Sequence, residues 1–290
     1  MPGRKNLGLK SWGLIILFIF IISTTSLNFA FDRFHRHRFQ RLSKQAQLAG
    51  ILHKAGAYCD KLKQIALHFV CCEEVREVIY SGPWPLRGGN PWKRQGKKFT
   101  YDYQLIRKDK IEESRILIKE NGKSLHVQGA SLKVGRFSYK FVILGPIGLM
   151  SFDSQKNHAY ILEKSEKLWG RQVCVIEATP KSPEKDDQLF GEVWVDKANG
   201  SILKIVWTGS SLDNYAVVEE FAKKMKGKPN LILVSEYKYE KNGIRFPSKF
   251  ELRENYIKEY KYGFRTFLKS ELTVTYKDYK FFIVETQVEY

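Results

Sequence analysis

No catalytic signature can be read from spacing anywhere in this sequence. It has no G-x-S-x-G nucleophile elbow, no G-x-x-x-x-G-K-[ST] phosphate loop, no G-x-G-x-x-G dinucleotide loop and no H-E-x-x-H zinc helix. Low-complexity tracts and internal repeats are also missing, which excludes solenoid and fibrous architectures. Apolar runs are short. The longest, Leu14 to Ile22, has nine residues, against the roughly 20 that a membrane-spanning helix needs. With 28% charged residues, a multi-span membrane protein is excluded as well. What remains is a globular composition of 290 residues, enough for one large domain or two small ones with a sizeable core.

Acidic residues are the scarcer charge, 31 against 49 basic ones, which leaves a net charge of +18. Such a balance suits nucleic acid, an anionic lipid surface or a merely soluble basic exterior. The first thirty residues bear on the choice. Arg4, Lys5 and Lys10 precede the apolar run, and the small, polar stretch STTSLNFA follows it, the order of a secretory signal peptide. Export to the periplasm is expected, either with cleavage near Ala30 or with residues 12–31 retained as an inner-membrane anchor. No cysteine follows the run, which argues against bacterial-type lipidation. An exported chain rarely meets nucleic acid, and no motif for it is present. The expected partner is therefore an anionic membrane surface, with no nucleic acid. Residues 31–42 read as a basic linker, and residues 43–290 as a single domain.

Cysteine is sparse: Cys59, Cys71, Cys72 and Cys174. Their spacing is not a zinc pattern, and no metal or cofactor is expected. In an oxidising compartment thiols tend to pair. Cys59 falls on an expected helix and Cys71 on the strand after it, so a disulfide between them would staple helix to sheet, worth roughly 3 kcal/mol. Cys72 would then join Cys174 or stay free. The six histidines are scattered, and His35 and His37 sit among Arg33, Arg36 and Arg38, which repel a metal ion. Glu73–Glu74, Glu112–Glu113 and Glu219–Glu220 are adjacent carboxylates. On a strand such neighbours point to opposite faces, so none forms a converged acid–base pair, and all are expected at the solvated surface. A non-enzymatic protein is the expectation.

From Ser43 to about His68 the spacing predicts one amphipathic helix. Leu48, Ile51, Leu52, Ala55, Leu62, Ile65, Ala66 and Phe69 recur at three- and four-residue steps behind a Ser43 N-cap. Strands dominate the rest. The stretch 69–80 is followed by a Gly/Pro/Trp loop and then a hairpin in which Phe99, Tyr101, Tyr103 and Leu105 share one face. Further strands are expected over 158–164, 172–179, 190–196, 202–207, 231–240, 244–254, 272–276 and 281–290. Asn121-Gly122, Asn199-Gly200 and Asn242-Gly243 supply hairpin turns. Shorter helices are expected around 148–155 and 214–224. The fold class is α+β: a large curved antiparallel sheet, a half-barrel of about ten strands, packed on a long N-terminal helix and two lesser ones.

The hairpin GEVWVDKANGSILKIVW, with Trp194, Asp196, Gly200, Ile202 and Lys204, resembles one seen in the periplasmic lipoprotein-carrier (LolA/LolB/RseB-like) superfamily. NGIRFPSKFELRE (242–254) is similar to the Pro-containing strand pair that follows in such proteins. YCDKLKQIALHFVC, GPIGLMSF, KNGIRFPSKF and VTYKDYKFFIVET resemble uncharacterised exported bacterial proteins with an outer-membrane lipoprotein-sorting-like fold. The resemblance covers most of residues 43–290. It departs from the carriers at their early Phe-x-Gln pattern, where this chain reads Phe69, Val70, Cys71, Cys72 and Glu73, and the carriers' functional arginine has no counterpart by motif. It implies an envelope protein that binds a lipid, an acyl chain or a lipidated protein or peptide.

On that reading Phe99, Tyr101, Tyr103, Trp194 and Trp207 are the candidate ligand-binding residues, with the two tryptophans on one face of their hairpin. The same rings could be plain core under the helix, or line a groove left open between helix and sheet. GPIGLMSF (145–152) could be ordinary core or a lid. The alternative function is an RseB-like interaction or sensor module with a filled core and an envelope protein as partner.

Overall fold

The computed structural model describes residues 42–64, 68–81, 93–107, 111–131, 145–182, 190–209 and 215–282. The export segment, the basic linker, the Gly/Pro/Trp loop and residues 283–290 lie outside the described residues. Contacts within the chain divide it after Gly50 into an N-terminal unit and a main unit, Ile51–Tyr290. In the first, residues 42–50 are helical and mostly exposed.

Helix α1 covers residues 42–64 and enters the main unit at Ile51. Ile51, Ala55, Tyr58, Cys59 and Leu62 are buried there, three or four residues apart on one face. The helix is shorter than its periodicity predicts, because His68 and Phe69 already belong to strand β1 (His68–Ser81). Phe69 pairs with Leu105 on one side and Phe281 on the other. Two ladders and the rings packed around Phe69 outweigh a weak helical preference at this point.

The remaining strands are β2 (Lys93–Arg107), β3 (Ile111–Glu120), β4 (Lys123–Val127), β5 (His158–Leu168), β6 (Arg171–Pro180), β7 (Gly191–Asp196), β8 (Ile202–Trp207), β9 (Lys228–Glu236), β10 (Tyr239–Lys241), β11 (Ile244–Phe246), β12 (Lys249–Tyr260) and β13 (Gly263–Phe281). Eleven form one antiparallel sheet in the order β4-β3-β2-β1-β13-β12-β9-β8-β7-β6-β5, open at β4 and β5; β10 and β11 pair separately. The expected antiparallel α+β sheet is present, one strand larger. Two strands predicted as continuous are each cut in two. Tyr237-Lys238 separates β9 from β10, and Pro247-Ser248 separates β11 from β12. Pro247 has no N–H to give a ladder, and its carbonyl instead accepts the Tyr279 hydroxyl at 2.7 Å. Conversely, 272–276 proves to be part of a 19-residue strand.

Tight turns set the register. Asn121 (φ 49°) with Gly122 (φ 85°) and Asn242 (φ 54°) with Gly243 (φ 75°) adopt the left-handed pairs expected of two-residue hairpins, and Trp169 (φ 48°) with Gly170 (φ 80°) does the same without an Asn-Gly signal. Six register shifts interrupt the ladders. Bulges of this kind bend a strand, and so suit a curved sheet.

The helix expected over 148–155 is two short ones, α2 (Gly145–Met150) and α3 (Phe152–Asn157). Ser151 breaks them with extended backbone, and its hydroxyl caps α3 by accepting from the Ser154 N–H at 3.3 Å. Helix α4 (Tyr215–Met225) lies where it was expected. Among the described residues no helix is long and apolar enough to cross a membrane.

Candidate functional site

Strand alternation puts every second residue on one sheet face, and the registers align those residues across strands. On the face under the helices, the partners run Phe99, Val75, Val274, Phe250, Ser235, Ile205, Val193, Ile176 and Leu162. This row crosses nine strands with one hydroxyl in it, and only Leu162 is not buried. A parallel row runs Leu272, Leu252, Leu233, Trp207, Gly191 and Ala178 to Tyr160. Eight spacings of about 4.8 Å make the first row roughly 38 Å long. The result is a continuous apolar band.

Helices cover the β5–β9 end of the band. Gly145 of α2 sits against Trp207 so closely that a Cβ there would lie 2.7 Å from the indole ring. Trp207 Nε1 donates to Ser235 Oγ at 2.8 Å, which satisfies the one polar atom its ring carries. Tyr160 donates to the Leu149 carbonyl (2.6 Å), Gln155 to the Leu52 carbonyl (2.8 Å) and the Cys59 thiol to the Pro146 carbonyl (3.4 Å). These bonds tie α2 and α3 to α1 and to the sheet. At the β12 end, Tyr256 packs on Phe221 of α4 at 4.9 Å.

Of the five sequence-predicted residues, Phe99 and Trp207 lie in the two rows. Tyr101 and Tyr103 occupy the same face on β2, paired with Glu73 and Cys71. Trp194 does not belong with them. A bulge between Trp194 and Val195 sets Trp194 opposite Lys204 rather than Leu203, which turns its ring to the other face from Trp207. There it packs with Val173, Val175 and Leu203, under the Lys204 ammonium at 4.5 Å, and donates to Glu166. All five rings are buried.

A polar cluster lies on the same face as the band, and spacing alone missed it. Glu73 is fully buried. Arg115 reaches it with Nε at 2.6 Å and Nη2 at 3.2 Å, and turns Nη1 to Glu113 at 3.2 Å. Glu113 also accepts the Tyr103 hydroxyl at 2.9 Å, and the guanidinium stands 4.8 Å above the Tyr103 ring. Burial raises the Glu73 carboxyl above its ordinary range, and the Arg115 bonds pull it back. Glu74, by contrast, points outward to Lys277 at 2.9 Å. The adjacent carboxylates do diverge as expected, but one member is interior rather than solvated. The signal was available: Phe69, Cys71, Glu73, Val75 and Glu77 occupy the alternate positions of the apolar face. A second buried carboxylate, Glu254, accepts from Tyr256 and from Ser270 at 2.7 Å.

The expected Cys59–Cys71 bridge is not present, and none of the four cysteines, Cys72 and Cys174 included, is joined in a disulfide. The two thiols of the expected bridge have separate buried partners, Cys59 at Pro146 and Cys71 beside Tyr279. Burial pushes Cys59 up to about 12 and Cys71 above the ordinary thiol range, which holds both as unreactive thiols. No group of three or more metal-ligating side chains occurs among the described residues.

No family model matches the chain, and no curated protein matches it. Solved structures similar to it include a DUF1329 family protein from Desulfovibrio piger, at 12% identity and TM-score 0.37 over 81% of this chain and 95% of that one. A putative outer membrane lipoprotein-sorting protein domain from Vibrio parahaemolyticus follows at 12% and 0.34, over 82% and 95%. A LolA superfamily protein from Nitrosomonas europaea stands at 14% and 0.32, over 79% and 94%. TM-scores below 0.5 lend no weight to a function, so the fold rests on the strand order and registers themselves.

Proposed function

We propose that this chain is an exported, non-enzymatic binding protein of the cell envelope, and that its cargo is an acyl chain of a lipid or a lipidated protein. The observation that carries the reading is the apolar band that crosses nine strands on one face of an open sheet, with the Ser235 hydroxyl in its first row. Its β5–β9 end is covered in part by two six-residue helices, α2 and α3, packed between the sheet and the long helix α1. Helices that short have little stability of their own, so α2 and α3 suit a lid that lifts from Trp207 while the sheet stays fixed. An acyl chain of sixteen methylenes laid on the band gains about 0.8 kcal/mol each, roughly 13 kcal/mol gross. That leaves ample affinity after the entropic cost of binding. Phe99, Tyr101, Tyr103 and Trp207 are the proposed contact residues; Trp194, on the opposite face, is not among them. The Glu73–Arg115–Glu113 cluster would meet a polar end of the cargo.

The test is mass spectrometry of solvent extracts from purified protein, followed by displacement of a fluorescent fatty acid. One equivalent of extractable lipid and saturable displacement support the proposal, and Leu252→Arg on the band abolishes both. Empty protein with no saturable uptake contradicts it. A second reading has one observation in its favour: Phe69, Tyr103, Phe246, Tyr279 and Phe281 pack ring to ring at 4.8–6.2 Å, a filled core of the kind a docking module needs. It predicts an envelope protein partner that co-purifies with lipid-free chain.

A further inference from the structure

The β12–β13 hairpin outruns the sheet that carries it. Among the described residues, the β9 ladder ends at Ile257 and the β1 ladder ends at Ser270. Thr266 pairs with Ile257, so residues 258–265 form a two-stranded ribbon past both neighbours, and 266–269 extend past β1 alone. The projection is roughly 13 Å at about 3.3 Å per residue. Its tip is apolar where water is. Tyr262 is 91% exposed and Phe264 73%, the two highest values among the described large hydrophobics. A single exposed ring is ordinary on a protein surface, but two at the end of a projecting ribbon form a local patch.

The ribbon carries Lys258, Lys261 and Arg265 against one acid, Glu259, while Lys269 at its base is bonded back to the Tyr80 carbonyl at 2.9 Å. The cations are interleaved with rings rather than set apart from them. Lys261 stands 5.5 Å from the Tyr262 ring centre, while Lys258 and Arg265 flank Tyr260 at 5.7 and 5.4 Å. Tyr260 in turn packs on Phe267 at 6.4 Å, which stiffens the ribbon behind its tip. Rings with a polar edge, ringed by cations, match the chemistry of a bilayer's headgroup layer, where aromatics sit at the interface and Lys and Arg meet anionic lipids. Elements that bind there enter about 5–10 Å, less than the ribbon's reach.

We infer that the β12–β13 tip is a membrane-docking finger, with Tyr262 and Phe264 entering an anionic lipid surface and Lys258, Lys261 and Arg265 holding its headgroups. This inference is independent of any cargo on the apolar band, and either can fail alone. The apolar run near the N-terminus could hold the full chain to vesicles by itself, so bulk binding is not a sufficient readout. Hydrogen exchange, read peptide by peptide on the full chain, locates the contact. With vesicles of equal parts phosphatidylglycerol and phosphatidylcholine, amides of 258–268 exchange at least about tenfold more slowly, and pure phosphatidylcholine protects them far less. The paired change Lys261→Glu with Arg265→Glu removes that protection. Its predicted loss of affinity at the tip is about thirtyfold or more. Tyr262→Ser with Phe264→Ser also removes it, with unchanged circular dichroism because both side chains are exposed. Unaltered exchange at 258–268 on anionic vesicles overturns the inference. So does protection that appears with single-stranded oligonucleotide or with rising protein concentration, and not with vesicles.

Discussion

At Glu73 the alternation of β1 sets a carboxylate between Cys71 and Val75 on the buried face, where burial raises its proton affinity and Arg115 opposes the rise. A carboxyl that binds its proton more tightly in the folded chain favours folding below the ordinary carboxylate range. That contribution is lost as pH rises through the folded value. Arg115→Met removes the opposing cation and leaves a buried charge uncompensated, a change that costs about 3–5 kcal/mol. Urea denaturation should show the larger loss at pH 8 and a smaller one at pH 5, where Glu73 can take up a proton. Equal losses at both would contradict the placement of the charge. Two glycines make a second test. Gly200 (φ 74°) would bring a Cβ within 2.4 Å of the Lys54 carbonyl carbon, whereas Gly122 (φ 85°) has nothing within 4 Å. Alanine at Gly122 costs only the left-handed conformation, about 1 kcal/mol. At Gly200 the clash with α1 adds to that, for roughly 2 kcal/mol or more in total. Thermal melts of the two variants should rank them in that order.

Among elements, α2 and α3 are the weakest link in the cover over the band. Each spans six residues, and the backbone at Ser151 keeps them from merging. Their amides should exchange faster than those of β7 and β8 beneath, by local opening rather than global unfolding. Gly145→Val, which would press a branched side chain into Trp207, should speed that exchange further while the sheet amides hold. Protection in α2 equal to that of β8 would rule out a lid. Most strands were legible in the sequence because period-two patterns and Asn-Gly turns act locally. The strand 202–207 matches at both ends. What sequence could not give is what depends on distant partners. The bulge at Trp194 moves one ring to the opposite face, and nothing in the local pattern marks it. Phe69 sits within a helical periodicity yet joins β1, because its partners on β2 and β13 lie 36 and 212 residues away. Glu73 is legible in principle, because the alternation of Phe69, Cys71 and Val75 places it on the buried face although its charge favours the surface.

At the scale of the whole molecule, β1 and β13 join the N-terminal strands β2–β4 to the β5–β9 meander through β12, so one apolar band spans segments far apart in the chain. Cargo on the band and a basic, aromatic finger at the β12–β13 tip would together place an acyl carrier at a lipid surface. The two tryptophans of one hairpin offer the most direct test, because they lie on opposite faces of the same sheet. A fatty acid brominated along its chain, bound to the band, should quench Trp207 and leave Trp194 bright. Quenching should then disappear in Trp207→Phe and persist in Trp194→Phe. Quenching that follows Trp194 instead, or none in either protein at saturating fatty acid, would contradict an acyl site on the inner face.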